Sequence, residues 1–205
     1  MLAVVFGASG SGKSTQAALL ADLLPDTAVH DWDEVGGSPP PASWRRRGNR
    51  EWIERSRDGD RDLLVFGGVP GEVLAAPGAV ELDGLAFCLL DCADEERVRR
   101  LREREHRSTI TPHQLWDHVA WGVWLRFHAA DPAWWTGPIR REDEGFAWSR
   151  WESWRAGDPR WSIARIDTTG RGPRETANEL AAWFRARRAE RDAETLPLSG
   201  RWWDC

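Results

Sequence analysis

Residues 7–14 read Gly-Ala-Ser-Gly-Ser-Gly-Lys-Ser and stand between a short apolar run, Leu2 to Phe6, and a segment whose apolar residues recur at helical spacing. The glycines let backbone N–H groups converge on one point, and the helix that opens near Lys13 aims the positive end of its dipole there. Such a concavity binds phosphate oxygens. The pattern G-x-x-x-x-G-K-[ST], in its strand–loop–helix setting, is a P-loop, and nucleoside triphosphate binding is its consequence.

Composition singles out one residue of this loop. Of the 28 basic residues only Lys13 is lysine, whereas tryptophan occurs 15 times and tyrosine never. An excess of arginine, glycine and alanine marks a GC-rich coding sequence, which exchanges lysine for arginine wherever the two are equivalent. Lys13 has to act as a compact point charge between the β- and γ-phosphates, a task that a planar guanidinium does not perform in the same way. The expected nucleotide-binding residues are Gly7, Ala8, Ser9, Gly10, Ser11, Gly12, Lys13, Ser14 and Thr15, with the Ser14 hydroxyl a ligand for Mg²⁺. ATP, or another nucleoside triphosphate, and Mg²⁺ are the expected cofactors.

The 205 residues suffice for one substantial core. The expected organisation is a single domain over residues 1–190, with a lid or cap inserted at about 105–160, and a C-terminal tail over 191–205. No stretch approaches the run of about 18 apolar residues that a spanning helix needs, and the N-terminus lacks the basic start of a signal peptide, so a cytoplasmic location is expected. Cys88, Cys92 and Cys205 imply no disulfide framework and form no familiar zinc spacing with the five histidines. A net charge of −5 argues against binding duplex nucleic acid through the overall field, while leaving room for a local basic groove. The expected partners are a nucleoside triphosphate and a small-molecule acceptor, without a membrane.

Beyond the first helix, Thr27 to His30 reads as a second strand that ends at Asp31-Trp32-Asp33-Glu34. Two carboxylates two apart at a strand end point the same way, either into a cleft or into solvent. A third strand, Asp62 to Phe66, ends at Gly67-Gly68-Val69-Pro70, with no acid where a Walker B residue would stand. Its absence weighs against motor-type ATPases. The nearly continuous apolar run Leu85 to Leu90 implies a parallel sheet covered on both faces, and a charged helix over Asp94 to Arg104 follows it. Ile163 to Ile166 reads as the last strand, and Gly172-Pro173 opens a helix that turns Ala177, Leu180, Ala181 and Phe184 to the core.

A P-loop strand and helix, a second strand ending in D-x-D and a third without a Walker B acid resemble the small-molecule kinases of the adenylate, shikimate and gluconate kinase type. The resemblance covers the order of elements over most of residues 1–190. It implies a three-layer α/β P-loop fold, with a five-stranded parallel sheet, helices on both faces and, here, an enlarged Trp-rich helical lid. It also implies roles: Asp31 would hold Mg²⁺ through water, and Asp33 would orient the acceptor hydroxyl and take its proton. Arg100-Leu101-Arg102-Glu103-Arg104 resembles the R-L-x-x-R that opens the lid, so Arg100 and Arg104, with Arg97 behind them, would close over the transferring phosphoryl group. The catalytic set is then Lys13, Asp31, Asp33, Arg100 and Arg104, and the metal set Ser14 and Asp31. Thr168 and Gly170 stand where related kinases pass their adenine-contacting loop. Adenylate kinases carry an arginine after the Gly-x-Pro turn to grip an acceptor phosphate; Gly71-Glu72 follow here, which speaks against a nucleoside monophosphate acceptor.

Three stretches stay open on the sequence alone. Thr111-Pro112-His113-Gln114 starts a helix with Trp116, Val119, Ala120, Val123, Trp124 and Phe127 on one face, and Trp148, Trp151 and Trp154 predict a second helix over Phe146 to Arg155. Its tryptophans serve as core, or one or two stack on a planar acceptor; His113, His118 and His128 read as polar-face residues. A basic helix is expected over Ser43 to Arg57, where Arg45, Arg46, Arg47 and Arg50 either grip an anionic acceptor or face solvent. The tail reads as loosely attached, its Trp202-Trp203 pair packing back or meeting another subunit. The expected activity is ATP-dependent transfer of the γ-phosphoryl group to a hydroxyl of a small molecule. The alternatives are a polynucleotide 5′-hydroxyl kinase and a non-catalytic nucleotide-binding regulatory module.

Overall fold

A computed structural model describes residues 1–35, 44–104, 110–140 and 145–204, apart from the Arg104 side chain. Five parallel strands, β1 (Leu2–Phe6), β2 (Thr27–Asp31), β3 (Asp62–Phe66), β4 (Leu85–Asp91) and β5 (Ile163–Asp167), form one sheet in the order β2-β3-β1-β4-β5. The central strands β1 and β4 are buried throughout. Their side chains divide by the two-residue period of a strand. Leu2, Val4 and Phe6 join one core with Leu63, Val65, Phe87 and Leu89, while Ala3 and Val5 join the other with Leu64, Phe66, Cys88 and Leu90.

Helices α1 (Lys13–Leu23) and α6 (Pro173–Asp192) pack together and close the second core through Leu20, Leu180, Ala181 and Phe184. The first core is covered by α2 (Trp44–Asp58), α3 (Pro70–Ala75) and α5 (Pro112–Ala130), which supply Trp52, Ile53, Val73, Leu74, Trp124 and Leu125. Helix α4 (Asp94–Arg104) packs on α5. This is the three-layer α/β arrangement expected from the strand patterns. Thr111 caps α5 as its sequence predicts: its hydroxyl accepts from the Gln114 N–H at 3.2 Å, and the Gln114 side chain accepts from the Thr111 N–H at 2.9 Å.

The tryptophan-rich region departs from expectation in three ways. Residues 146–155 form no α-helix, only a 3₁₀ turn at Trp148–Arg150 followed by further turns. Each anchor there has its own partner on α3 or its C-cap: Trp151 Nε1 donates to the Gly71 carbonyl at 2.9 Å, and Arg150 Nη1 donates to the Leu74 and Ala76 carbonyls at 3.0 and 2.7 Å. The buried face of α5 runs through Gly122, Trp124, Leu125 and His128, while Trp116 is 70% and Phe127 50% exposed. His128 is therefore a core residue and not a polar-face one; its ring stacks on Trp124 and meets the edges of Trp151 and Trp161.

The tail is not loosely attached either. Leu196, Leu198 and Trp202 are buried, the Leu85 N–H donates to the Leu198 carbonyl at 2.9 Å, and the Trp202 ring lies edge-on to Trp154. Of the pair, Trp202 packs back against the domain. No helix among the described residues is long and apolar enough to cross a membrane.

Candidate active site

The C-terminal ends of β1, β2 and β3 meet the starts of α1 and α2 around a cleft of about 1040 Å³. Open α/β sheets place ligands at such strand ends. The loop between β1 and α1 turns on Gly10 and Gly12, whose φ of 84° and 101° lie in the left-handed region that favours glycine. A Cβ on Gly12 would meet nothing within 4 Å, so the loop leaves open space there, and no side chain caps the N-terminus of α1. Lys13 Nζ curls over the loop and donates to the Gly7 carbonyl at 2.7 Å and the Ala8 carbonyl at 3.4 Å.

Gly7, Ser9, Gly10, Gly12, Lys13, Ser14 and Thr15 line this cleft; Ser11 lies beneath the loop, nearly buried, and the Ala8 side chain belongs to the core. Asp31 and Asp33 line the same cleft, though not as two successive outward residues of one strand. Asp31 ends β2, whereas Asp33 lies in a 3₁₀ turn over Trp32–Val35. The Glu34 carboxylate accepts from the Asp31 N–H at 2.8 Å, and Asp31 Oδ1 accepts from the Asp33 N–H at 3.1 Å, which fixes the turn. Partial burial and the neighbouring Asp31 charge raise the Asp33 pKa above the ordinary aspartate value, against the lowering pull of Lys13.

Trp32, between the two acids, is 1% exposed and anchors the turn. Its indole sits on the glycines that end β3: a Cβ would lie 2.3 Å from Trp32 Cβ if built on Gly67, and 2.8 Å from its Cζ3 if built on Gly68. The glycine pair is thus the seat of the tryptophan.

Arg100 reaches from α4 to the opposite wall. Its Nη1 donates to the Thr168 hydroxyl at 3.0 Å and, more weakly, to the Gly10 carbonyl at 3.4 Å; its Nη2 donates to the Thr168 carbonyl at 2.8 Å. A second hollow of about 440 Å³ continues past it, lined by Gly12, Thr15, Gln16, Arg100, Gly170 and Pro173 among others. Thr168 borders this hollow, but its hydroxyl is engaged with Arg100 and with the Ser11 and Asp91 carbonyls, so its side chain holds the loop together. Arg104, the other lid arginine expected from the sequence, has its side chain outside the described residues.

Arg97 does not face the cleft. It is 1% exposed beneath the P-loop, where Nε donates to the Ser9 carbonyl at 3.3 Å, Nη1 to Asp94 at 2.9 Å and Nη2 to the His118 carbonyl at 2.5 Å. Gly122 of α5 makes room for it, since a Cβ there would fall 1.8 Å from Nη1. Arg97 thereby joins the P-loop, α4 and α5. Of the four arginines at the start of α2, only Arg45 lines the cleft; Arg50 lies over the Phe146 ring, and Arg47 is exposed. Residues that the sequence did not single out, Trp44 and Trp121, also form cleft walls. Only the tryptophan excess hinted at them.

The geometry is that of a known fold. The chain is similar over 90% of its length to 94% of a sugar kinase from Janibacter sp., with a TM-score of 0.53 and 16% identity. It is similar over 92% of its length to 93% of a gluconokinase from Sinorhizobium meliloti 1021, with a TM-score of 0.51 and 19% identity. A shikimate kinase from Acinetobacter baumannii, solved in complex with shikimate, matches with a TM-score of 0.51 at 13% identity, over 91% of this chain and 94% of that one. The protein has the P-loop small-molecule kinase-like fold. No protein-family model matches the chain, and no curated protein is significantly similar to it in sequence.

Proposed function

We propose that the protein transfers the γ-phosphoryl group of ATP, or another nucleoside triphosphate, to a hydroxyl of a small molecule. One observation carries the reading: Lys13, Asp31, Asp33 and Arg100, from four different segments, border a single cleft. Three solved neighbours described as kinases share the fold.

The P-loop amides and Lys13 would hold the triphosphate, with the nucleoside in the hollow beside Gly170 and Pro173. The Ser14 hydroxyl and the Asp31 carboxylate are oxygen donors of the kind Mg²⁺ takes, one or two protein ligands being usual for that ion. Bound there, Mg²⁺ would supply neutralisation of charge on the phosphate oxygens. Asp33 takes the proton of the acceptor hydroxyl as that oxygen bonds to the γ-phosphorus and the nucleoside diphosphate departs. Its raised pKa suits a group that must accept this proton and later release it. Arg100 faces the charge that spreads over the equatorial oxygens in transfer, where a planar fork of donors is effective.

Calorimetric titration of MgATP into the wild type and Lys13→Ala tests the first half of this reading. Saturable binding that Lys13→Ala weakens by at least tenfold is expected; equal affinity in the two proteins would contradict it.

A further inference from the structure

We infer that Glu72 sets the charge selectivity of the acceptor site: by offsetting the charge of Arg45 it fits the site to an uncharged alcohol, and against one that carries a carboxylate or phosphate. The inference rests on reading the cleft as a phosphoryl-transfer site and names the class of acceptor.

Among the described residues that line the cleft, the cations are Lys13, Arg45 and Arg100. Lys13 belongs to the P-loop, and Arg100 is drawn to Thr168 at the end where the nucleoside hollow begins. Arg45 is then the cation on the α2 wall, where an anionic acceptor would have to find its partner. It is already partnered. Glu72 of α3 approaches Arg45 Nε at 3.8 Å, and its side chain is only 5% exposed against 30% for Arg45. A carboxylate so buried favours positive charge beside it, and its own charge offsets that of Arg45 on this wall of the cleft. The flat face of Arg45 is committed as well, with its guanidinium carbon 5.5 Å from the centre of the Trp121 ring.

What remains toward the cleft favours an uncharged ligand. Asp31, Asp33 and Glu103 line it, and an anionic acceptor placed among them would be repelled. The other walls there include Trp44, Trp121, Val69 and Leu125. Trp121 is a firm wall, since it stacks on Trp124 at 4.8 Å between ring centres, and Trp124 Nε1 donates to the Trp135 carbonyl at 3.0 Å. Covered by Trp124 and Arg45, the ring offers the cleft its uncharged edge.

The test uses pairs in which an uncharged group replaces a carboxylate: shikimate with methyl shikimate, gluconate with glucitol, and aryl-substituted hydroxy acids with their methyl esters. Binding to the MgATP-analogue-loaded protein is measured by calorimetry, and transfer by labelled phosphate. The expected result is that the uncharged members bind at least tenfold more tightly to the wild type. In Glu72→Gln, which removes the negative charge beside Arg45, that ratio falls at least tenfold, and in Glu72→Gln/Arg45→Met the fall is abolished. A wild type that prefers the acids, or that binds neither member of any pair, overturns the inference, and does so without needing either variant to fold. An unchanged ratio in a folded Glu72→Gln protein overturns it equally. Discrimination of the expected sign without any phosphoester product upholds the charge assignment and sinks the phosphotransferase reading instead.

Discussion

Arg100 ties α4 to the loop after the last strand through Thr168, donating to its hydroxyl at 3.0 Å and to its carbonyl at 2.8 Å. The guanidinium is therefore held at the junction of the main cleft and the smaller hollow before any ligand arrives. A group fixed in advance need not be ordered during the reaction. Arg100→Lys keeps a positive charge but loses the fork that spans both Thr168 acceptors. It is expected to lower kcat by about 100-fold or more, the scale of a lost transition-state donor, with a smaller effect on nucleotide affinity. Steady-state kinetics of the variant, with its melting temperature as a check on folding, decides this.

On the proposed reading, Asp33 couples activity to pH. Its folded-state pKa is raised, so the proton is held to higher pH than on an ordinary aspartate, and the acid limb of kcat/KM is displaced upward accordingly. The same shift has a stability sign: a carboxylate that binds its proton more tightly when folded favours the fold at low pH and disfavours it once ionised. Asp33→Asn is expected to abolish the acid limb, to reduce transfer sharply and to raise the melting temperature slightly at pH 7. A pH–rate profile beside thermal melts reads both.

His128 is buried with neither ring nitrogen hydrogen-bonded among the described residues, and burial pushes its pKa down to about 3. Below the ordinary value near 6.5 the unfolded chain takes up a proton that the folded chain refuses. Stability is therefore lost progressively from about pH 6.5 down to about pH 3. His128→Phe keeps a ring beside Trp124 and removes two unsatisfied polar atoms, each of which costs about 1–3 kcal/mol when buried. The variant should melt several degrees higher at neutral pH and lose less stability on acidification.

Trp202 joins the core from the far end of the chain, 3% exposed and edge-on to Trp154. Trp202→Ala is expected to cost about 3 kcal/mol or more, as large-to-small changes in a packed core do. Urea unfolding measures this. A loss under about 0.5 kcal/mol, the scale of surface substitutions, would place the tail outside the cooperative core.

The strands and the P-loop were legible in the sequence because their signals are local. A five-residue apolar run before Gly7 and the glycine spacing after it allow one arrangement, and the structure gives β3 the same ends, Asp62 and Phe66, that the pattern predicts. The buried face of α5 was not legible, because it is built in part from a glycine that seats a distant charged group: Arg97 docks on Gly122, which lies on the buried face with Trp124, Leu125 and His128, while Trp116 and Phe127 are exposed. Periodicity counts apolar residues and is blind to a buried guanidinium. The spacing of Trp148, Trp151 and Trp154 mimicked a helix for a related reason, since each of Arg150 and Trp151 is anchored to α3 backbone rather than to its own turn. In the cleft, the placing of Lys13 and the two acids along one wall followed from residue type and order. The pairing of Arg45 with Glu72 joins positions 27 residues apart, one on each of two helices, and no sequence pattern joins them.

The most direct measurement is transfer of labelled phosphate from [γ-³²P]ATP to a panel of alcohols, run with and without Mg²⁺ and with Lys13→Ala alongside. A labelled phosphoester that forms with the wild type, requires Mg²⁺ and disappears in Lys13→Ala is the expected result. ATP binding without a phosphoester from any alcohol, or product formation that survives Lys13→Ala, would contradict it.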